Sequence, residues 1–314
     1  MPEWLIERGI GETRYAKVKD GDIVEARILV DGIAPAGTEL QGKLRHSGFQ
    51  QFAEAEGQDY LLPEGAHGLT DGEQLRFEII RERIPGVEEW KRPLGRMLHG
   101  TQRANERISG REIIFPGAKN ALSDSGWDEL VEEARSGICR FEGGELHVFP
   151  TPAMTLIDVD GTLAPERLAS SAAKAAARLI LRLGIGGSIG IDFPTIKGKA
   201  ARSSVDEAID AGLPKPFERT SLNGFGFLQI VRPRRHSSLI ELAQDRPSFE
   251  ARALLRRIAF EPPGSKRIVA HPMVMRAIED QQGWIQQLSL QLGGAVELRA
   301  EPSLPMSGGY AEAL

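Results

Sequence analysis

The chain has 314 residues, 41% of them hydrophobic, and a formal net charge of −5. A chain of this length buries more than one core, so two or three domains are expected, and the negative balance excludes a surface coated throughout for polyanions. The single cysteine, Cys139, excludes an internal disulfide and any Cys-x-x-Cys zinc motif. No apolar run reaches membrane-spanning length, and MPEWLIERGIGETRYAK carries charges too early for a secretory signal, so a cytoplasmic protein without a membrane partner is expected.

In chain order, residues 1 to about 31 read as short strands, WLIERG, ETRYAKV and DIVEARILV, with Gly and Asp between them as turn signals. From about 36 to 96, ELQGKLRHS, FQQFAEAE, DYLLP and LRFEIIRERI alternate between Gly-rich turns, a pattern that suggests an OB-type barrel. In QFAEAE the alternation places Ala53 and Ala55 on one face and Phe52 on the other, so Phe52 is read as an exposed aromatic. A basic run follows, from Arg81 through Lys91, Arg92, Arg103 and Arg107 to Arg111. Ser123 or Asp124 is placed to cap a helix through SGWDELVEEARSG, whose Trp127, Leu130, Val131 and Ala134 form an apolar stripe.

The most informative stretch comes next. TLIDVDGT and, some thirty residues on, GGSIGIDF are apolar runs of strand length that end in aspartates, so Asp158 and Asp192 are expected at the ends of two buried strands. Two carboxylates so placed suit Mg²⁺, which prefers oxygen ligands and keeps several waters. After Asp192, Lys197 and Lys199 are candidate phosphate contacts. The pattern then gives a helix over Ala200 to Ala211, a strand GFGFLQIV, and a second basic cluster at Arg232, Arg234 and Arg235 placed to border the cleft. FEARALLRRI reads as a helix, KRIVAHP as a strand, VMRAIEDQQGWIQQLSLQLG as a helix pair and AVELRAE as a strand, with a loose tail from Ser307. His271 is read as structural, and no histidine has metal-ligand spacing along the chain.

Two families share the first aspartate motif. Taken alone, IDVDGTL resembles the first motif of haloacid-dehalogenase-type phosphatases, in which Asp158 would be a nucleophile; the late acidic pair that such enzymes need is not supplied convincingly. From Gly143, however, the chain reads GGELHVFPTPAMTLIDVDG, then SAAKAAARLILRLGIGGSIGIDF, then LNGFGFLQIVRPRRHSSLIEL. In order and spacing these three blocks resemble the catalytic region of the ribonuclease E/G family, with its IDVNSG, GG-apolar-IDF and FGL…R-x-R-x-x-SL-x-E patterns. The likeness covers about a hundred residues and is more specific than one aspartate motif.

By that resemblance Asp158 and Asp192 are the metal-binding aspartates, for Mg²⁺ or alternatively Mn²⁺, and Asp160 is a third catalytic carboxylate where the family usually has Asn. The implied fold class is multidomain α+β and α/β. Residues 1–31 and 97–145 would form a reduced RNase H-like unit, 32–96 an OB-type RNA-binding barrel, 146–244 a DNase I-like catalytic region and 245–314 a small α/β domain. Phe49 and Phe52 become candidates for base stacking, with Tyr60 read as core, and Lys91, Arg92, Lys197, Arg232, Arg234 and Arg235 become candidate contacts to RNA. The segment that would sense a 5′-terminal phosphate is not recognisable, and no cysteine pair stands at the family's zinc link, so no zinc is expected and a homodimer remains open. The expected activity is Mg²⁺-dependent endonucleolytic hydrolysis of single-stranded RNA. The alternatives are the phosphatase and a relative that binds RNA without cutting it.

Overall fold

The computed structural model describes residues 2–85, 91–101 and 108–314. Arg103 and Arg107 of the basic run lie outside the described residues. The chain begins with three antiparallel strands rich in apolar and β-branched residues, β1 (Glu3–Arg8), β2 (Glu12–Lys19) and β3 (Asp22–Val30). The chain continues through β4 (Glu39–Ser47), β5 (Gln50–Ala55), β6 (Gln58–Leu61), β7 (Gln74–Arg81) and β8 (Leu94–Met97). These close into a barrel in the order β4-β5-β6-β8-β7, which leaves no free sheet edge. Its interior is filled by Leu44, Ala53, Leu62, Phe77 and Ile79, and the Tyr60 ring lies 5.1 Å from that of Phe77, so Tyr60 is core as read.

After the barrel, β9 (Arg111–Ile113) pairs parallel with β1, giving the sheet order β3-β2-β1-β9. Helix α1 (Trp127–Ser136) buries Trp127, Leu130 and Ala134, as the stripe predicts. Its start differs from expectation. Ser123 and Asp124 lie inside a 3-10 turn, Ser123–Ser125, that has no side-chain capping bond, and the Trp127 N–H donates to the Leu122 carbonyl.

A six-stranded sheet follows, built from β10 (Ile138–Phe141), β11 (Gly144–Pro150), β12 (Thr155–Gly161), β13 (Gly187–Asp192), β14 (Glu218–Arg219) and β15 (Phe227–Arg232), in the order β10-β11-β12-β13-β15-β14. Between its strands run α2 (Pro165–Arg182) and α3 (Lys199–Gly212), which pack on each other. The inner face of α2 is lined by Ala169, Ala172, Ala173 and Ala176, small enough to bring the helix close to the sheet. On that face of the sheet Leu146, Ile157, Ile189, Ile191, Leu228 and Ile230 are buried. The period of two turns the intervening side chains to the opposite, open face.

The chain ends with α4 (Leu239–Gln244), α5 (Arg246–Ala259), β16 (Lys266–Ala270), α6 (Pro272–Glu279), α7 (Trp284–Leu292), β17 (Val296–Ala300) and β18 (Tyr310–Ala313). The tail is not loose. Met306–Gly308 forms a 3-10 turn, and β18 pairs antiparallel with β16, whose other edge carries β17 in parallel. Ile268, Val269 and Ala270 of β16 are fully buried, so its backbone groups need partners on both sides, and a four-residue strand with no clear alternation supplies one of them.

The contacts divide the chain into two compact units, Met1–Asp31 with Gly110–Arg135 and Glu241–Leu314, and Gly32–Ser109 with Ser136–Ile240. The contacts therefore group residues 245–314 with the first sheet. One reason is a buried ionic network. Arg14 Nη1 and Nε lie 2.6 Å from Glu7 and 2.6 Å from Glu12, while from α5 Arg252 Nε reaches Glu12 at 2.8 Å and Arg256 Nε reaches Glu7 at 2.9 Å. All five side chains are buried. Burial works to raise the Glu12 carboxyl, but the charges and hydrogen bonds of Arg14 and Arg252 outweigh it and hold Glu12 below its ordinary value. Asp31 is pushed the other way, by its own desolvation and by the Glu12 charge.

Candidate metal centre on the open sheet face

β12 alternates Ile157 and Val159 inward with Asp158 and Asp160 outward. In the parallel pairing with β13, Asp158 is the register partner of Asp192, the last residue of that strand. The two carboxylates are therefore neighbours on adjacent strands, whose backbones run about 4.8 Å apart. Asp192 stands at a strand end, as expected. Asp158 does not, because β12 continues to Gly161 along β11, where Gly144 is the partner of Gly161. What ends at Asp158 is the pairing with β13, so the pair stands where the two strands part.

Asp158, Asp160 and Asp192 are all exposed on this open face. Among the described residues, neither the Asp158 nor the Asp192 side chain has a hydrogen-bond or ion-pair partner. Two like charges directly opposite on neighbouring strands repel each other, and a divalent cation is the species that would turn this repulsion into attraction. Two carboxylates suit an ion that fills its remaining positions with water and phosphate oxygens. Among the described residues no group of three or more His, Cys, Asp or Glu side chains is gathered closely enough to hold a metal ion by itself.

One residue of this face was not legible from spacing along the chain. His147 on β11 is the register partner of Asp158, with its Nε2 3.1 Å from Glu145 Oε1 and 3.8 Å from Asp160 Oδ2. The alternation of GELHVFP contains the signal that Glu145 and His147 share a face, but only the pairing of β11 with β12 brings that face to the aspartates. On the other side of the carboxylates the surface is apolar. Phe227, the register partner of Asp192, lies over Gly190, where a Cβ would fall 2.5 Å from the phenyl ring, with Leu156 alongside.

The basic cluster does not border this pair. β15 runs antiparallel to β13, with Phe227 opposite Asp192 and Arg232 opposite Gly187. Arg232 thus stands five residue steps from Asp192, about 16 Å at the usual strand rise. Arg232 Nη1 donates to the Ile185 carbonyl at 3.3 Å, and Arg234 packs over Gly186 and Gly187, where added side chains would meet its atoms or the Pro233 carbonyl. Arg235 Nη2 lies 4.0 Å from the buried Glu78, and its carbonyl accepts from Glu82 N–H. The cluster therefore joins strand β13 to the barrel, a packing role that composition does not reveal. Lys91 lies toward the same end and donates to the Pro152 carbonyl at 2.9 Å. Of the basic candidates, Lys197, exposed in the loop after Asp192, and Lys199, exposed at the start of α3, are on the carboxylate side.

In the barrel, Phe49 is 98% exposed on the β4–β5 turn. Phe52, read as exposed, is only 6% so. It does point away from Ala53, but Arg92 lies over its ring at 5.2 Å from the centroid and pairs with Asp59 at 3.3 Å. A side chain distant in sequence thus covers the ring and uses its face for a cation–π contact.

The chain matches no family model, and no curated protein is similar to it at a significant level. Among the described residues no helix is long and apolar enough to cross a membrane.

Proposed function

We propose that the protein is a Mg²⁺-dependent endoribonuclease of the ribonuclease E/G type, acting on single-stranded RNA. The observation that carries the reading is the in-register pair Asp158 and Asp192, exposed and without a compensating cation among the described residues. A bound Mg²⁺ would neutralise charge on the scissile phosphodiester and activate water for attack, which is Lewis-acid chemistry at an ordinary phosphodiester. The chain's own residues would hold the ion through Asp158 and Asp192, with Asp160 beside them as a third carboxylate. Lys197 would meet a neighbouring phosphate, and hydrolysis would leave a 5′-phosphate and a 3′-hydroxyl. In this reading the closed barrel is an OB-type RNA-binding unit, the six-stranded sheet with its helices is the DNase I-like catalytic region, and the sheet β3-β2-β1-β9 belongs to a reduced RNase H-like unit.

Incubating the protein with end-labelled single-stranded RNA and with p-nitrophenyl phosphate, each with Mg²⁺ and with EDTA, separates the readings. Metal-dependent RNA fragments support the nuclease. Release of nitrophenol alone would identify a phosphatase acting through Asp158, and RNA retention without fragments would identify a silent binding relative.

The barrel carries its own test. Phe49→Ala should leave the melting temperature unchanged and weaken RNA binding while keeping its salt dependence, since stacking releases no counterions. Phe52→Ala should instead destabilise the fold by about 3 kcal/mol, the usual cost of emptying a buried phenylalanine site. Thermal melts beside fluorescence-anisotropy titrations read both, and an unchanged melt for Phe52→Ala would contradict its burial beneath Arg92.

A further inference from the structure

We infer that Phe225 is a base-stacking platform at the edge of the carboxylate pair, positioning a nucleobase of single-stranded RNA next to the bond to be cut; this rests on the nuclease reading above. Phe225 is 87% exposed. A lone exposed apolar side chain is ordinary. What distinguishes this one is how firmly it is presented and where.

The turn that carries it is bound from several sides. Asn223 Oδ1 accepts from the backbone N–H of Phe225 at 2.9 Å and of Phe227 at 3.0 Å. The Asn223 N–H donates to the Phe227 carbonyl at 3.1 Å, and the Gly226 N–H to the Asn223 carbonyl at 3.3 Å. The turn is then clamped to the segment that follows the metal-site aspartate, because Phe193 N–H donates to the Gly226 carbonyl at 2.9 Å and Thr195 Oγ1 to the Phe225 carbonyl at 3.4 Å. Gly226 sits at φ 96°, and a Cβ there would collide with the Phe193 carbonyl, so the close approach admits only glycine.

An exposed ring on a turn so fixed loses little conformational freedom when a planar partner lands on it. Its surroundings fit a nucleotide. Asp192 is the residue just before the clamped Phe193, Phe227 continues an apolar surface over Gly190, the exposed Lys197 lies in the loop that Thr195 ties to the turn, and the exposed Lys199 follows at the start of α3. One short stretch thus offers a π-face for a base and cations for phosphates, beside carboxylates for a metal. This combination recognises single-stranded nucleic acid rather than an apolar peptide.

The test is anisotropy titration of a fluorescein-labelled single-stranded RNA in EDTA, so that binding is read without cleavage. F225A should raise Kd about 5- to 150-fold, the range that loss of one stacked base gives, with an unchanged salt slope and melting temperature. F225W should keep the affinity and report contact by quenching of its own fluorescence when RNA is added, relative to the unaltered chain. An unchanged Kd for F225A, or an equal loss in F225A and F225W, overturns the inference while RNA binding by the unaltered chain leaves the nuclease reading standing. If the unaltered chain binds no RNA in either EDTA or Mg²⁺, the nuclease reading falls and this inference with it.

Discussion

Asp192→Asn and Asp158→Asn are each expected to abolish Mg²⁺-dependent RNA cleavage while leaving the protein folded. Each change removes one of the two adjacent carboxylates proposed to hold the ion, and a metal's charge stabilisation is worth several kcal/mol, so the loss should be roughly three orders of magnitude or more. Stability should move the other way. The two carboxylates are exposed register partners without a cationic partner among the described residues, so deleting one charge relieves a cross-strand repulsion. The melting temperature in EDTA should therefore be unchanged or slightly raised, and Mg²⁺ should no longer shift it. A gel assay of cleavage beside melts with and without Mg²⁺ decides the matter. Near-wild-type cleavage by either variant would remove these aspartates from the proposal, whereas a collapsed melt would mean that they hold the fold.

The second large effect is expected far from that site in sequence. Glu12→Gln should cost about 3–5 kcal/mol of stability, because it leaves the buried Arg14 and Arg252 facing a neutral amide. The pH dependence follows from the direction of the Glu12 shift. Its carboxyl is held below the ordinary 4.5, so its contribution is fully present above that pH and is lost as pH falls through the lowered folded value. The unaltered protein should thus lose stability steeply below about pH 4.5, and Glu12→Gln should lose less over the same window. Asp31 runs oppositely, since burial and the Glu12 charge raise its carboxyl: its contribution is present below 3.8 and fades as pH rises through the raised value. Chemical denaturation at a series of pH values, followed by probes in each unit because two compact units need not unfold together, reads these slopes. Equal stability of Glu12→Gln and the unaltered chain at pH 7 would mean that the network is solvated in solution.

Most of the helices and strands were legible in the sequence because their causes are local. Alternation in ELQGKLRHS and TLIDVDG, and the stripe of Trp127, Leu130 and Ala134, are properties of neighbouring residues, and they also put Asp158 and Asp160 on one face of a strand before any partner is known. The outward turn of Asp158 and of Asp192 was legible for the same reason, since each apolar run fixes which way its acidic side chain faces, but their meeting as register partners was not. What the tertiary structure decided is everything that depends on which strand or helix lies beside which. Register between β11 and β12 brought His147 to the site, and antiparallel pairing of β15 with β13 sent Arg232 to the far end of the strand from Asp192. Arg92 covered a phenylalanine that alternation alone left exposed, and β16 drew the short strand β18 out of a tail without periodicity. Helix α5 placed Arg252 and Arg256 against Glu12 and Glu7, buried pairings between opposite ends of the chain that no local pattern signals. Periodicity tells a side chain which way to face, but the free energy of a charge, a ring or an unpaired backbone edge depends on the neighbour it meets there, and that neighbour is usually supplied by a distant part of the chain.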